Sequence, residues 1–402
     1  MQQGNKRVAF VHDDFPFGGA ERVTMDIANY LSSFDYDVYI FTGTYYADRL
    51  PANIPIGFNV IELPEPCVSK SEKDAVCMID HIKKMSISIL VAAVRELKYI
   101  QMIVESTHCK YVFAHHGTPF WEAQIKLDMA RKRGYRSWSN RLEWYFLSYP
   151  KYIWFKKHEK QFHRIYQSTY ALTDRYTVLC EEYRSELVRS LGLDPQNNKI
   201  RVIPNSEKRI EHPNLNKRKQ VLFVGRLSYS DKRVDRLIDI WEKVCNRVPE
   251  WELIIVGDGE ERENLENKVS RAKLPRIRFE GATTNVQPYY DEASVLCLVS
   301  TFEGWGLCLT EAQVNAVVPI AFDCSAGVRK IVSPSGTNGL LVPPFDLDCF
   351  AETLVELLND PQRLETMRHN VLKKSEEYAV EVVGRKWMDL FEELFREIEE
   401  AD

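Results

Sequence analysis

The stretch Ser294-Val-Leu-Cys-Leu-Val-Ser300-Thr-Phe-Glu303-Gly-Trp-Gly-Leu-Cys-Leu-Thr-Glu311-Ala312 decides how this chain is read. Residues 294–300 form a short apolar run with the length and composition of a buried strand. Residues 307–317 predict a helix, with apolar Leu307, Val314 and Val317 and small Ala312 and Ala316 between them. A carboxylate at the end of a parallel strand and another one turn into the next helix can converge on one ligand. The unpaired amides that open such a helix point at the same crevice, which suits an anion. Taken alone, the pattern also fits a surface loop and an ordinary helix carrying a stray carboxylate.

The same strand–helix rhythm extends in both directions. In the first half it predicts strands at 8–11, 37–41, 111–114 and 177–180, and helices at 21–32 and 85–100. A charged stretch without periodicity, 207–220, reads as a linker. The pattern then restarts, with strands at 221–224, 252–256, 277–280, 295–299 and 319–322 and helices at 231–245 and 260–273. Parallel neighbours need a crossover connection, so strands alternating with helices imply an α/β protein with doubly wound parallel sheets. A chain of 402 residues suggests two domains. The boundaries read as 1–205 and 206–375. An amphipathic tail, 376–402, carries apolar Val383, Trp387, Leu390, Phe391 and Leu394 on one stripe. Ligands of such sheets bind beyond the carboxyl ends of the strands, so the two domains are expected to face a cleft.

Composition narrows the class. Hydrophobic residues at 45% and charged residues at 28% are those of a soluble globular protein. Nine cysteines are scattered singly with no C-x-x-C, which argues for a reducing compartment and against a zinc site or disulfide framework. No leader is visible at the start, and apolar runs such as 89–94 are too short to cross a bilayer. The expectation is a cytoplasmic protein. The net charge of −5 hides a basic segment: residues 131–166 hold ten Lys/Arg against two Glu, together with eleven aromatics. Cations interleaved with Trp and Tyr suit the headgroup layer of an anionic membrane, so peripheral contact with the inner face of the cell membrane is a further expectation. A solvated hairpin whose aromatics pack on the domain is the plainer alternative. Single-stranded nucleic acid could also use such a patch, but nothing else in the chain supports it.

Several strand ends carry chemistry. Phe17-Gly18-Gly19-Ala20-Glu21-Arg22 follows the first strand and opens the first helix, and its glycines let the backbone approach a ligand closely. His115 and His116 end a strand and can donate to a hydroxyl or phosphate oxygen, or move a proton. Adjacent side chains there point opposite ways, so only one is expected to face the cleft. Arg226 follows the strand 221–224, and Lys232 is placed at the start of the next helix. Two fixed cations there would neutralise charge developing on a departing diphosphate. The triplets Asp35-Tyr-Asp37 and Asp346-Leu-Asp348 are placed in loop and capping roles rather than on a metal.

Together these motifs resemble those of the retaining, nucleotide-sugar-dependent glycosyltransferases of family 4, which have the GT-B fold. The carriers are the Glu303-x7-Glu311 spacing, the glycine loop, the strand-end histidine and Gly225-Arg226-Leu227 followed by Lys232, in order along nearly the whole chain. The family pattern has a glycine where this chain has Arg233, which puts the start of that helix in question. The resemblance implies two Rossmann-like domains and a final helix that crosses back onto the first. It implies that Glu311 accepts hydrogen bonds from the nucleotide ribose, that Glu303 lies by the donor sugar, and that amides around Gly304 to Leu307 hold sugar or phosphate. Gly19 would lie near the donor diphosphate, and His116, ahead of His115, would be the cleft histidine. Glu280-Gly281-Ala282-Thr283 would lie near the nucleobase. Gly257 and Gly259 read as loop-shaping, and 338–342 as a turn into a structural strand.

The activity implied is metal-independent transfer of a sugar, with retention, from a nucleoside diphosphate to a hydroxyl. The nucleotide-sugar is a co-substrate, UDP favoured over GDP, and no cofactor is implied. The basic aromatic segment lies on the acceptor side, which points to a lipid-linked glycan acceptor in surface polysaccharide assembly. Two other classes stay open: a nucleotide-sugar epimerase or phosphorylase of the same fold, and a non-catalytic nucleotide-sugar-binding subunit. A glycogen-type phosphorylase would carry a pyridoxal-phosphate lysine in a longer chain, which is not seen. The set Arg226, Lys232, Glu303 and Glu311 argues against a pure binder.

Overall fold

A computed structural model describes residues 6–16, 18–50, 56–93, 96–134 and 137–400. Phe17 of the glycine loop, Tyr135 and Arg136 of the basic segment, and parts of the tail and of the predicted 85–100 helix lie outside these. Two all-parallel sheets are present. The first contains β1 (Lys6–Phe15), β2 (Tyr36–Tyr45), β3 (Phe58–Glu62), β4 (Ile89–Ala93), β5 (Lys110–Ala114), β6 (Arg175–Val178) and β7 (Ile200–Val202), in the order β3-β2-β1-β4-β5-β6-β7. The second contains β8 (Gln220–Val224), β9 (Glu252–Val256), β10 (Ile277–Gly281), β11 (Val295–Leu298), β12 (Val318–Phe322) and β13 (Leu340–Val342), in the order β10-β9-β8-β11-β12-β13. Strand order therefore reverses between β1 and β4 and again between β8 and β11. These are the two points where a crevice opens at the carboxyl ends.

One predicted element is wrong. The helix predicted over 85–100 is absent among its described residues 86–93 and 96–99: Met85 ends the helix Glu72–Met85, Ser86 turns the chain with φ 50, and 89–93 is the central strand β4. Every residue of Ile-Leu-Val-Ala-Ala is buried. A strand covered on both faces shows no alternation, so a short apolar run does not by itself distinguish it from a buried helix.

The tail does cross back. The helix Val380–Glu399 packs on the first sheet, with Trp387 and Phe391 edge-on to Phe10 of β1 at 6.1 and 6.4 Å. Val383, Trp387, Leu390, Phe391 and Leu394 are all buried, each stabilising by about 1.5–3 kcal/mol relative to exposure. Glu393 on its flank accepts from Arg175 at 2.7 Å and Arg201 at 2.8 Å, tying the last helix to β6 and β7. The chain end thus rigidifies the sheet that carries the histidines.

Candidate active site

The site is built from the strand ends that the reversal points bring together. Gly19 opens the helix Gly19–Ser32 after β1, His115 and His116 follow β5, Gly225 follows β8, and Glu303 follows β11. A cavity of about 500 Å³ lies between the two sheets, lined by Gly19, His115, His116, Lys232, Glu303, Gly304, Leu307 and Glu311 among others. The two halves touch at its rim. A Cβ on Gly304 would stand 2.5 Å from the His116 carbonyl, so that backbone approach needs glycine, whereas one on Gly19 would stand 2.6 Å from Leu307 Cδ1, a side-chain end that can move aside. Thr118 donates to the Glu303 carbonyl at 3.1 Å and Tyr183 to the Gly304 carbonyl at 2.9 Å, pinning the Glu303 loop from the opposite half.

Lys232 Nζ donates to Glu303 Oε1 at 2.6 Å, and Ser300 Oγ donates to the same oxygen at 2.7 Å. Burial opposes the lysine's charge, but Glu303 outweighs it and holds the ammonium above its usual range. Lys232 does not begin a helix as expected. The helix runs Val234–Val244, and Lys232 stands in the turn before it. Arg233, at the family's glycine position, takes φ 51, a left-handed conformation that costs a side chain about 1–2 kcal/mol. Its guanidinium forks onto Asp235 at 2.9 and 2.8 Å and lies 4.3 Å over Tyr229, which offsets the strain. The departure from glycine leaves the helix start intact.

Arg226 is not among the residues lining the cavity. Its side chain is 68% exposed and donates to Asp231 at 3.0 Å. Burial tends to raise the Asp231 pKa, but hydrogen bonds from Ser228 and Ser230 and the charge of Arg226 pull it below the usual value. The segment 280–283 also lies away from the cavity lining.

The histidine pair divides as side-chain alternation requires. His115 bonds Tyr166 through Nε2 at 3.3 Å and Tyr176 through Nδ1 at 3.2 Å, so both ring nitrogens are spent inside the protein. Burial, with neighbouring His116, pushes its pKa down to about 3. His116 Nδ1 meets Asn205 Oδ1 at 2.7 Å, leaving Nε2 with no hydrogen-bond partner among the described residues. Burial lowers the His116 pKa as well.

Glu311 has a setting that sequence reasoning missed. Tyr290 donates to its Oε2 at 2.6 Å, while Arg22 of the first half bridges Glu311 Oε1 and Glu207. Glu207 is only 3% exposed, and burial raises its pKa. Arg22 stood in the quoted glycine loop, but no local pattern shows a partner nearly three hundred positions away. The helix Leu307–Val314 is shorter than predicted: Ala316 turns left-handed with φ 58 and Val317 lies beyond it. Gly306 supplies no side-chain cap, so the opening amides of Leu307 and Cys308 remain for a ligand. The pocket thiol of Cys308 is pushed up to about 12 by burial and is no nucleophile at neutral pH.

Asp346 caps the helix Leu347–Leu358 by accepting from Cys349 N, the role expected for that triplet. Among the described residues no group of three or more His, Cys, Asp or Glu is placed to hold a metal ion.

Two facing doubly wound parallel sheets with the candidate site at their reversal points make a GT-B architecture. Residues 17–206 match the family described as Glycosyltransferase Family 4, and residues 218–360 that described as Glycosyl transferases group 1. The chain belongs to this family 4, group 1 lineage. An uncharacterized glycosyltransferase of Haemophilus influenzae is 34% identical over 42% of this chain and 48% of its own length. The amylovoran biosynthesis glycosyltransferase AmsD of Erwinia amylovora is 29% identical over 55% of this chain and 63% of its own. The matches thus span about half to two-thirds of these curated relatives. A Campylobacter jejuni N-acetylgalactosaminyltransferase, whose name specifies a PP-undecaprenol-linked acceptor, is 29% identical over 43% of this chain and 48% of its own. In structure, HepE of Anabaena in complex with UDP-glucose superposes with TM-score 0.70 at 17% identity, covering 96% of this chain and 99% of HepE.

Proposed function

We propose that this chain is a retaining glycosyltransferase that moves a sugar from a nucleoside diphosphate, UDP favoured, to a hydroxyl of a lipid-linked glycan at a membrane surface. The observation that carries the reading is the Lys232–Glu303 pair, 2.6 Å apart on the wall of the cavity between the two halves. Cleaving the anomeric C–O bond leaves an electron pair on the departing diphosphate oxygen. Lys232 and the open amides of Leu307 and Cys308 are preorganised to stabilise that charge, with no side chain having to move. The acceptor oxygen forms the new bond from the same face and passes its proton to the departing phosphate oxygen. Both bonds to Glu303 fall on Oε1, which leaves Oε2 to accept from a donor-sugar hydroxyl. His116, neutral and tethered by Asn205, offers Nε2 as an acceptor to another. Arg226 reaches the diphosphate only by leaving Asp231.

The acceptor reading is supported by the surface of the first half. Phe146, Leu147 and Trp154 are exposed by 74, 68 and 71%, so the aromatics of this segment do not all pack inward; Trp144 does. Among the described residues no helix is long and apolar enough to cross a membrane. Contact would then be peripheral, through these side chains and the surrounding cations.

A thermal-shift panel of nucleoside diphosphates and their sugars, followed by assay for nucleoside diphosphate release, tests the proposal. One donor should raise Tm and be slowly hydrolysed. A rise in Tm without release would favour the non-catalytic subunit, and conversion of the bound sugar without release would favour an epimerase. Flotation with anionic vesicles tests the membrane part. Binding unchanged after neutralising Lys151, Lys156, Lys157 and Lys160 would remove it.

A further inference from the structure

The loop Glu303–Gly304 of the second half is held by hydroxyls of the first. Thr118 Oγ1 donates to the Glu303 carbonyl at 3.1 Å, and the Tyr183 hydroxyl donates to the Gly304 carbonyl at 2.9 Å. The two hydroxyls lie 3.0 Å apart. Tyr183 is buried in the first turn of the helix Glu181–Leu191, and its oxygen also accepts from the Gly327 amide at 3.1 Å. Gly327 belongs to the helix Ala326–Val332, so one phenol joins the first half to two separate segments of the second. A Cβ on Gly327 would collide with the Gly304 carbonyl, so that oxygen is confined as well as bonded.

The loop also separates two hollows. Thr118 and Tyr183 line one of about 580 Å³, whereas Glu303, Gly304 and Trp305 line the active-site cavity of about 500 Å³. The peptides of this loop are trans, and in a trans peptide the C=O and N–H point in opposite directions. Drawing the carbonyls of Glu303 and Gly304 toward the first hollow therefore turns the amides of Gly304 and Trp305 toward the second. Neither amide has a hydrogen-bond partner among the described residues. Gly304 and Gly306 flank Trp305 and let these peptides rotate at little steric cost. The loop's own residues thus do not decide which way its amides face; the two hydroxyls do.

We propose that Thr118 and Tyr183 are positioning residues for the donor: they aim the Gly304 and Trp305 amides at its diphosphate, beside the amides of Leu307 and Cys308. Both hydroxyls belong to the first half, so this anion-binding set is complete only while the two halves are in contact. Neither side chain lines the active-site cavity, and each acts through the loop. The inference rests on the transferase reading.

Tyr183→Phe and Thr118→Val each remove one hydroxyl and nearly keep its shape. Losing the bond that holds one carbonyl should lower the affinity for UDP or GDP (whichever raises Tm) about tenfold by calorimetry, and kcat for donor hydrolysis by a similar factor. Affinity for the matching nucleoside, which has no phosphate, should stay within about twofold by saturation-transfer NMR. Thr118→Ser restores a hydroxyl and should recover most of what Thr118→Val loses. A role confined to stability would lower Tm and leave the folded variants with wild-type affinity for the diphosphate, which would overturn the proposal. Equal losses for nucleoside and diphosphate would overturn it too, by placing the defect outside the phosphate-binding amides. If Tyr183→Phe fails to fold, Thr118→Val with its serine rescue decides alone. Variants that match an unaltered protein able to bind and release the diphosphate discard the positioning role alone. Absence of nucleotide binding to the unaltered protein discards the transferase reading instead.

Discussion

Lys232 Nζ stands 2.6 Å from Glu303 Oε1, joining the turn after β8 to the loop after β11 across the reversal point of the second sheet. Both groups are largely buried, so the pair holds its geometry before any ligand arrives. The residues beside the pair then decide how the two halves meet around it.

Lys232→Met removes the cation that the proposed mechanism assigns to the departing diphosphate. Donor hydrolysis at saturating donor should drop by about 10²–10³ in kcat. Tm should fall too, because Glu303 is left buried without its counter-charge. A variant within about threefold of wild-type kcat would exclude Lys232 from leaving-group stabilisation.

Arg22 sits between Glu207 and Glu311, and Arg22→Ala strands the buried Glu207. The expected loss in urea melts is about 3 kcal/mol, at the low end for a buried pair because Arg22 itself is part-exposed. Adding Glu207→Gln should recover most of the loss by removing the stranded charge. A double variant no more stable than the single would mean that Glu207 does not depend on this cation.

His115 gives stability a pH dependence. Its folded pKa of about 3 lies below the unfolded value of about 6.5. Between the two the unfolded chain holds the extra proton. This contribution is therefore complete above about pH 6.5 and is lost as pH falls toward 3, by about 1.4 kcal/mol per pH unit. His115→Gln should flatten the Tm–pH curve between about pH 6.5 and 4.5 relative to wild type. Parallel curves for the two proteins would contradict this.

Gly304→Ala places a methyl 2.5 Å from the His116 carbonyl, a backbone atom that cannot swing aside. The halves must separate locally, at a cost of about 1–3 kcal/mol. Transfer should weaken about tenfold or more while each half stays folded, as read by kcat alongside circular dichroism. Full activity would mean that closure at this contact does not matter.

Strand–helix alternation was legible because it is local: β9 spans the predicted 252–256, and the tail helix buries the five apolar positions named for it. β4 was not legible, since a strand buried on both faces loses the period that would mark it. The start of the helix after Lys232 was misplaced because Asp231 binds Ser228, Ser230 and Arg226, and Arg233 then turns left-handed.

By itself the sequence determined which residue types lie at the strand ends, because periodicity and turn chemistry act over a few residues. Tertiary structure decided how they are used. It bonded both His115 ring nitrogens inside the protein and left His116 Nε2 for the cavity, kept Arg226 on the surface beside Asp231, and brought Arg22 to Glu311 across 289 positions. These outcomes depend on how two sheets face each other, and packing between distant segments leaves no period in the chain.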